Sequence, residues 1–111
     1  MNKTAEPIEP AQPVRLAERV QYAEGSIVSR ALVQKPVGSI TLFAFDAGQG
    51  LNEHTAPYDA YVQILDGEAE LVIDGRVVNS VSGETVLMPA NVPHAVNARQ
   101  RFKMLLTMIR G

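Results

Sequence analysis

From Gly25 onward the apolar residues fall in short runs of β-branched and large side chains: Ile27, Val28, Leu32 and Val33, then Ile40, Leu42, Phe43 and Phe45. Turn formers bound each run, at Gly25-Ser26, Pro36-Val37-Gly38 and Asp46 to Gly50, which is how strands are punctuated. Ser39 to Phe45 is apolar at nearly every position, so this strand is expected to have both faces covered. Tyr58 to Leu65 follows, then Glu68 to Ile73, where Glu68 and Glu70 alternate with Ala69, Leu71 and Ile73. Asp66-Gly67 and Asp74-Gly75 read as two hairpin turns in which glycine takes positive φ. Arg76 to Val81, Thr85 to Met88 and Arg101 to Ile109 complete the set, with Ser82-Gly83 as a further break.

Roughly eight or nine short strands at spacings of about eight to twelve residues predict an all-β sandwich or barrel. No strand alternates with a convincing helix, which argues against a parallel α/β sheet. Val14 to Tyr22 does not settle on one period and reads as a short helix or an edge strand. Residues 1–13 hold Pro7, Pro10 and Pro13 among Glu, Gln and Ala, a composition expected to leave a flexible proline-rich tail.

Composition narrows the function classes more than the fold. With 111 residues the chain is expected to form one domain, over residues 14–111, around a single core. Lys and Arg number 10 against 12 Asp and Glu, for a net charge of -2, so neither nucleic acid nor an anionic membrane is expected as a partner. Cysteine is absent, which excludes disulfides, thiolate nucleophiles and Cys-based zinc sites. The first residues lack the apolar core of a signal peptide and no run of 18 apolar residues occurs, so a soluble, cytoplasmic protein is expected.

The candidate chemistry lies in two histidines, the full complement of the chain. His54 follows the loop that contains Gly48 and Gly50. His94 ends the stretch Glu84-Thr-Val-Leu-Met-Pro-Ala-Asn-Val-Pro-His94. Gly48, His54, Ala56, Ala60 and Gly67 stand at the positions of one motif of a known family, and Gly83, Pro89, Asn91 and His94 at those of its second, with Asn97 one place short of the asparagine which that family has there. Gly83 permits a sharp turn into the strand, Pro89 fixes φ at its end, and Asn91 is a common non-glycine choice where positive φ is wanted.

In these two motifs, over about residues 38 to 109, the chain resembles a small single-domain cupin of the conserved-barrel superfamily. The resemblance implies a cupin-type double-stranded β-helix, or jelly-roll barrel, with dimers common among small members. In the metal-binding members two histidines and a carboxylate of the first motif, with the histidine of the second, hold a divalent metal that leaves positions open for substrate or dioxygen. Here His54 and His94 keep the outer two positions, and Ala56 and Ala60 replace the middle two.

Strand alternation ranks the substitutes for a third ligand. If His54, Ala56 and Ala60 face inward, so do Val62 and Ile64, while Asp59, Tyr61 and Gln63 face out and Glu53 lies on the wrong face. A bulge near Pro57 would reverse that parity and bring in Gln63 or Tyr61; Gln63 is the first reserve, because its amide amid Tyr-Val-Gln-Ile-Leu needs a partner. Phe45, Tyr61, Val62, Met88, Met104 and Met108 are the expected pocket wall as well as core, methionine adapting to irregular ligands.

Two functions follow. One is binding of a divalent transition metal (Fe, Mn, Ni or Zn) by His54, His94 and Gln63 in the lumen, as in a metal-dependent oxygenase or isomerase-like enzyme acting on a small molecule. The other is a metal-free module that captures a small molecule at the barrel mouth, with the two imidazoles as hydrogen-bond donors. A homodimer is expected with either, covering the edge at Ile27 to Val33.

Overall fold

The computed structural model describes residues 7–110. Eight antiparallel strands carry them: β1 (Ile27–Lys35), β2 (Gly38–Phe45), β3 (Gly50–His54), β4 (Asp59–Ile73), β5 (Arg76–Val81), β6 (Thr85–Met88), β7 (His94–Asn97) and β8 (Phe102–Ile109). They form one curled sheet in the order β1-β2-β8-β4-β7-β3, with β5 and β6 also on β4. The result is the all-β jelly-roll-type barrel expected from the strand pattern. No helix among the described residues is long and apolar enough to cross a membrane.

β4 belongs to both layers of this barrel. Its first half pairs with β8 and β6, and its second half with β5 and β7. Ala60, Val62 and Ile64 are buried in the first half, but Ala69 and Leu71 in the second, so the inward parity changes from even to odd. The change comes from an irregularity between Ile64 and Asp66. Without it, Glu68 and Glu70 would point into the core.

Asp66-Gly67 is therefore not the hairpin turn expected from its sequence. It is a bend within one continuous strand of 15 residues. Gly67 has φ +77, and a Cβ there would lie 2.3 Å from the Arg101 carbonyl oxygen, so the corner needs glycine for both conformation and space. Asp74-Gly75 is a true two-residue turn, with both residues at positive φ, joining β4 to β5.

The barrel interior is one apolar cluster that includes Phe45, Val62, Ile64, Leu71, Met88, Phe102 and Met104. Phe45 and Phe102 stack with centroids 4.6 Å apart and plug the end beside Gly67. A second cluster covers the outer side of β1 and β2, where Val20, Leu32, Leu42 and Ala44 are buried and Ile8, Leu16 and Tyr22 pack against them. This explains the doubly apolar β2: the barrel covers one face and the N-terminal segment the other.

Between Val14 and Tyr22 the regular structure is one short 3-10 helix, Leu16–Glu18, so of the two expected alternatives the short helix is found and the edge strand is not. Val20 has no solvent exposure. Ile8 lies within the stretch expected to be a mobile tail and reaches this second core; residues 1–6 of that stretch fall outside the described residues. Polar contacts hold the segment down. Lys103 Nζ donates to the Ala17 carbonyl at 2.6 Å and sits over the Tyr22 ring, while the Tyr22 hydroxyl donates to Asp66 at 2.6 Å.

Candidate functional site

The end of the barrel opposite the Phe45–Phe102 stack is drawn together by the loop before His94. Ala90 N–H donates to the Asp59 carboxylate at 2.9 Å, Asn91 N–H to the Ala56 carbonyl at 2.8 Å, and Asp74 N–H to the Pro93 carbonyl at 2.8 Å. The start of β4, its end and the start of β7 therefore meet at one rim. Asn91 adopts φ 64, the left-handed conformation expected of it, and this turns the chain between the two prolines.

On one layer the rim presents an inward row across four strands. Ser39 pairs with Met108, Met108 with Ala60, and Ala60 with Met88. On the facing layer, roughly 10 Å away as packed sheets are, the row is His54, His94 and Ile73. Below the rim the rows become wholly apolar and buried, through Val62 and Leu71 to Met104 and Phe45. The site is a shallow mouth above a filled lumen.

His54 enters this row through a bulge. Leu51 pairs with Val96 and His54 with His94, so that two residues of β3, Asn52 and Glu53, lie against one of β7, Ala95. In a regular ladder Glu53 would stand opposite His94. The bulge lies at Asn52–Glu53, upstream of the Pro57 position whose bulge would have brought Gln63 inward, and it places an imidazole rather than a carboxylate in the mouth.

The rings meet edge to face, with centroids 4.4 Å apart and planes at 68°. His94 is 5% exposed, whereas His54 is open to solvent. His54 Nδ1 lies 2.8 Å from the Asn52 carbonyl oxygen and His94 Nδ1 3.1 Å from that of Val92. A carbonyl oxygen only accepts, so each Nδ1 carries the hydrogen and each neutral ring has a bare Nε2. In that state both rings offer acceptors, where donors were expected.

Of the other expected site residues, Met88 and Met108 line the rim, Val62 and Met104 lie deeper, and Phe45 belongs to the plug. Tyr61 and Gln63 do not join them. Both are exposed on the outer face, in register with Leu87 and Thr85 of β6, because β4 keeps its even-numbered residues inward from Ala60 to Ile64. Gln63 is thereby removed as a third ligand. Residues that went unnoticed as candidates also reach the rim: Ser39, Ile73, and a neighbouring set of Lys35, Tyr58 and Arg110.

The donor set can be tested against the metal that the fold suggests. Two imidazoles bound to one ion through Nε2, with metal–nitrogen bonds of about 2.0–2.1 Å, have centroids roughly 4.5–5 Å apart, so 4.4 Å is close to that spacing. Yet among the described residues no group of three or more His, Cys, Asp or Glu could hold a metal. Two neutral imidazoles are one ligand short of catalytic zinc sites and of the two-His-one-carboxylate iron sites. The residues present do not fit a resident catalytic metal.

The chain is similar in structure to a conserved protein of unknown function from Streptococcus pyogenes, with 37% identity, a TM-score of 0.91, and coverage of 99% of this chain and 96% of that one. A cupin 2 conserved barrel domain protein from Leptotrichia buccalis is 45% identical with a TM-score of 0.82, over 85% of this chain and 46% of its own. A cupin superfamily protein from Desulfitobacterium hafniense is 28% identical with a TM-score of 0.89, over 98% and 100%. No curated protein matches. Residues 41–109 match the family described as Cupin domain, and with the barrel, its rim histidines and these relatives, the chain belongs to the cupin domain family.

Proposed function

We propose that this cupin binds a small molecule at its barrel mouth without a resident metal, using the bare Nε2 atoms of His54 and His94 as paired acceptors. The observation that supports it is the anchoring of both Nδ1 atoms by backbone carbonyls. That anchoring fixes ring orientation and leaves both acceptors free at the rim. Alanine at positions 56 and 60, where the resemblance places metal ligands, points the same way. The apolar rows beneath supply a dry floor of Met88, Met108 and Ile73.

The ring spacing favours a second reading, in which the two Nε2 atoms loosely hold a divalent ion (Fe, Mn, Ni or Zn) whose other positions stay open. Elemental analysis separates the two readings. Purified wild type is expected to carry no stoichiometric metal, and thermal-shift screening of small polar molecules should give hits that His54→Gln and His94→Gln abolish. Near-stoichiometric metal that His94→Ala removes would establish the second reading instead.

A further inference from the structure

Beside the histidine pair the rim carries a small cationic recess that neither motif explains. Lys35, Gly38, Ser39, Tyr58, Met108 and Arg110 line a cavity of about 110 Å³. Ser39 and Met108 are also the first two members of the inward row that continues through Ala60. The recess and the mouth therefore share a wall. Strand spacing of about 4.8 Å puts Ser39 two strands, or roughly 10 Å, from Ala60, and the facing imidazole row a similar distance across.

The electrostatics of the recess are one-sided. Arg110 lies over the Tyr58 ring, 4.8 Å from its centroid, and donates through Nη2 to the Tyr58 hydroxyl. Stacking holds the guanidinium plane and leaves other edge N–H groups unspent. Among the described residues neither Lys35 nor Arg110 has a carboxylate partner. Asp59, which pairs with Ile109 on the same rim, accepts from Ala90 N–H. Two cations, a phenol and a serine hydroxyl around a cavity of this size form a donor-rich seat for an oxyanion.

We propose that this recess is the anchoring subsite for the ligand's acidic group, so that the bound molecule is a small organic acid whose carboxylate (or phosphate) sits between Lys35 and Arg110. Its other end, carrying a hydroxyl or amine donor, reaches the Nε2 acceptors of His54 and His94. This assignment rests on the small-molecule reading of the mouth and adds the ligand's charge to it. Charge complementarity is the reason: a molecule with a donor at one end and an oxyanion at the other meets acceptors and donors in matching places.

The test is titration of the full chain, followed by amide chemical shifts, with 4-hydroxybenzoate, its neutral amide, and inorganic phosphate. The expected result is saturable shifts at Ser39, Tyr58 and Arg110 with the acid, and at least about tenfold weaker binding of the amide. Arg110→Gln and Lys35→Gln should each weaken the acid by roughly tenfold, flatten its salt dependence and weaken the amide, which carries no charge, by less. Phosphate shifting the same amides without the His94 signals would identify the recess as a general oxyanion seat and support the proposal.

Equal affinity for acid and amide, or an Arg110→Gln/Lys35→Gln double variant that binds the acid like wild type, would overturn it while the mouth reading survives. So would silence of the three rim amides towards both acid and phosphate into the millimolar range. Failure of the mouth reading looks different: His54→Gln and His94→Gln would leave acid binding intact while the cation variants abolish it. Unchanged melting temperatures of the exposed-site variants confirm that folding is not the variable.

Discussion

His54 faces His94 because β3 places two residues, Asn52 and Glu53, where β7 places only Ala95, between the Leu51–Val96 pair and the imidazoles. The extra residue turns Glu53 outward and delivers a second imidazole, rather than a carboxylate, to the rim. If the carbonyls of Asn52 and Val92 hold the Nδ1 hydrogens, long-range proton–nitrogen correlation spectra should show unprotonated Nε2 in both rings at neutral to alkaline pH. A protonated Nε2 on either neutral ring would contradict the orientation on which the mouth reading depends.

Restoring the missing ligand should convert the site. Ala60 lies in the inward rim row between Met88 and Met108, so Ala60→Glu introduces a carboxylate on the wall facing the imidazoles. Affinity for Zn²⁺ or Ni²⁺ should rise by roughly 100-fold over wild type as a third, charged donor joins the two imidazoles. Calorimetric titration measures this, and addition of His94→Ala should reverse the gain.

Gly67→Ala should be costly, by about 2–4 kcal/mol, since it combines a strained positive φ with a clash against backbone. Gly75→Ala provides the contrast. Its φ is +79 but nothing lies within 4 Å of the added carbon, so only the conformational strain remains, about 1–2 kcal/mol. Urea denaturation midpoints should rank wild type, then Gly75→Ala, then Gly67→Ala.

Asp46 links the N-terminal segment to the plugged end of the barrel. It accepts from Arg101 Nε at 2.8 Å and from Gly25 N–H at 2.6 Å, and these bonds hold its carboxyl below the ordinary 3.8. A lowered folded value means that the folded state resists protonation. Stabilisation is then complete above the unfolded value and disappears as pH falls through the lower folded one. Asp46→Asn should therefore lower the denaturation midpoint at about pH 7, with the difference from wild type narrowing as the pH falls below 3.8.

Most of the barrel was legible because periods and punctuation are local. The strands of Ser39–Phe45, Thr85–Met88 and the chain end are where the apolar runs stand, and Asn91 and Asp74-Gly75 took the conformations their types suggest. Asp66-Gly67 misled because an Asp-Gly pair looks alike in a turn and in a bend. Only the Arg101 carbonyl, distant in sequence, distinguishes the two. The bulge at Asn52–Glu53 leaves no residue signature at all. Leu16, Val20 and Tyr22 showed no period because they cover the outer sheet from a segment whose only regular turn is three residues long, and the Lys35, Tyr58 and Arg110 recess is assembled from three remote points of the sequence.

β4 is the one strand shared by the two layers among those described, and this limits where the chain can be cut. New termini opened at Asp74-Gly75, an exposed turn with free space around the glycine, leave every pairing of β4 intact, so a circular permutant there should fold. A break at Asp66-Gly67 instead separates the half that pairs with β6 and β8 from the half that pairs with β5 and β7. The protein can be re-ordered at its turn but not divided at its corner.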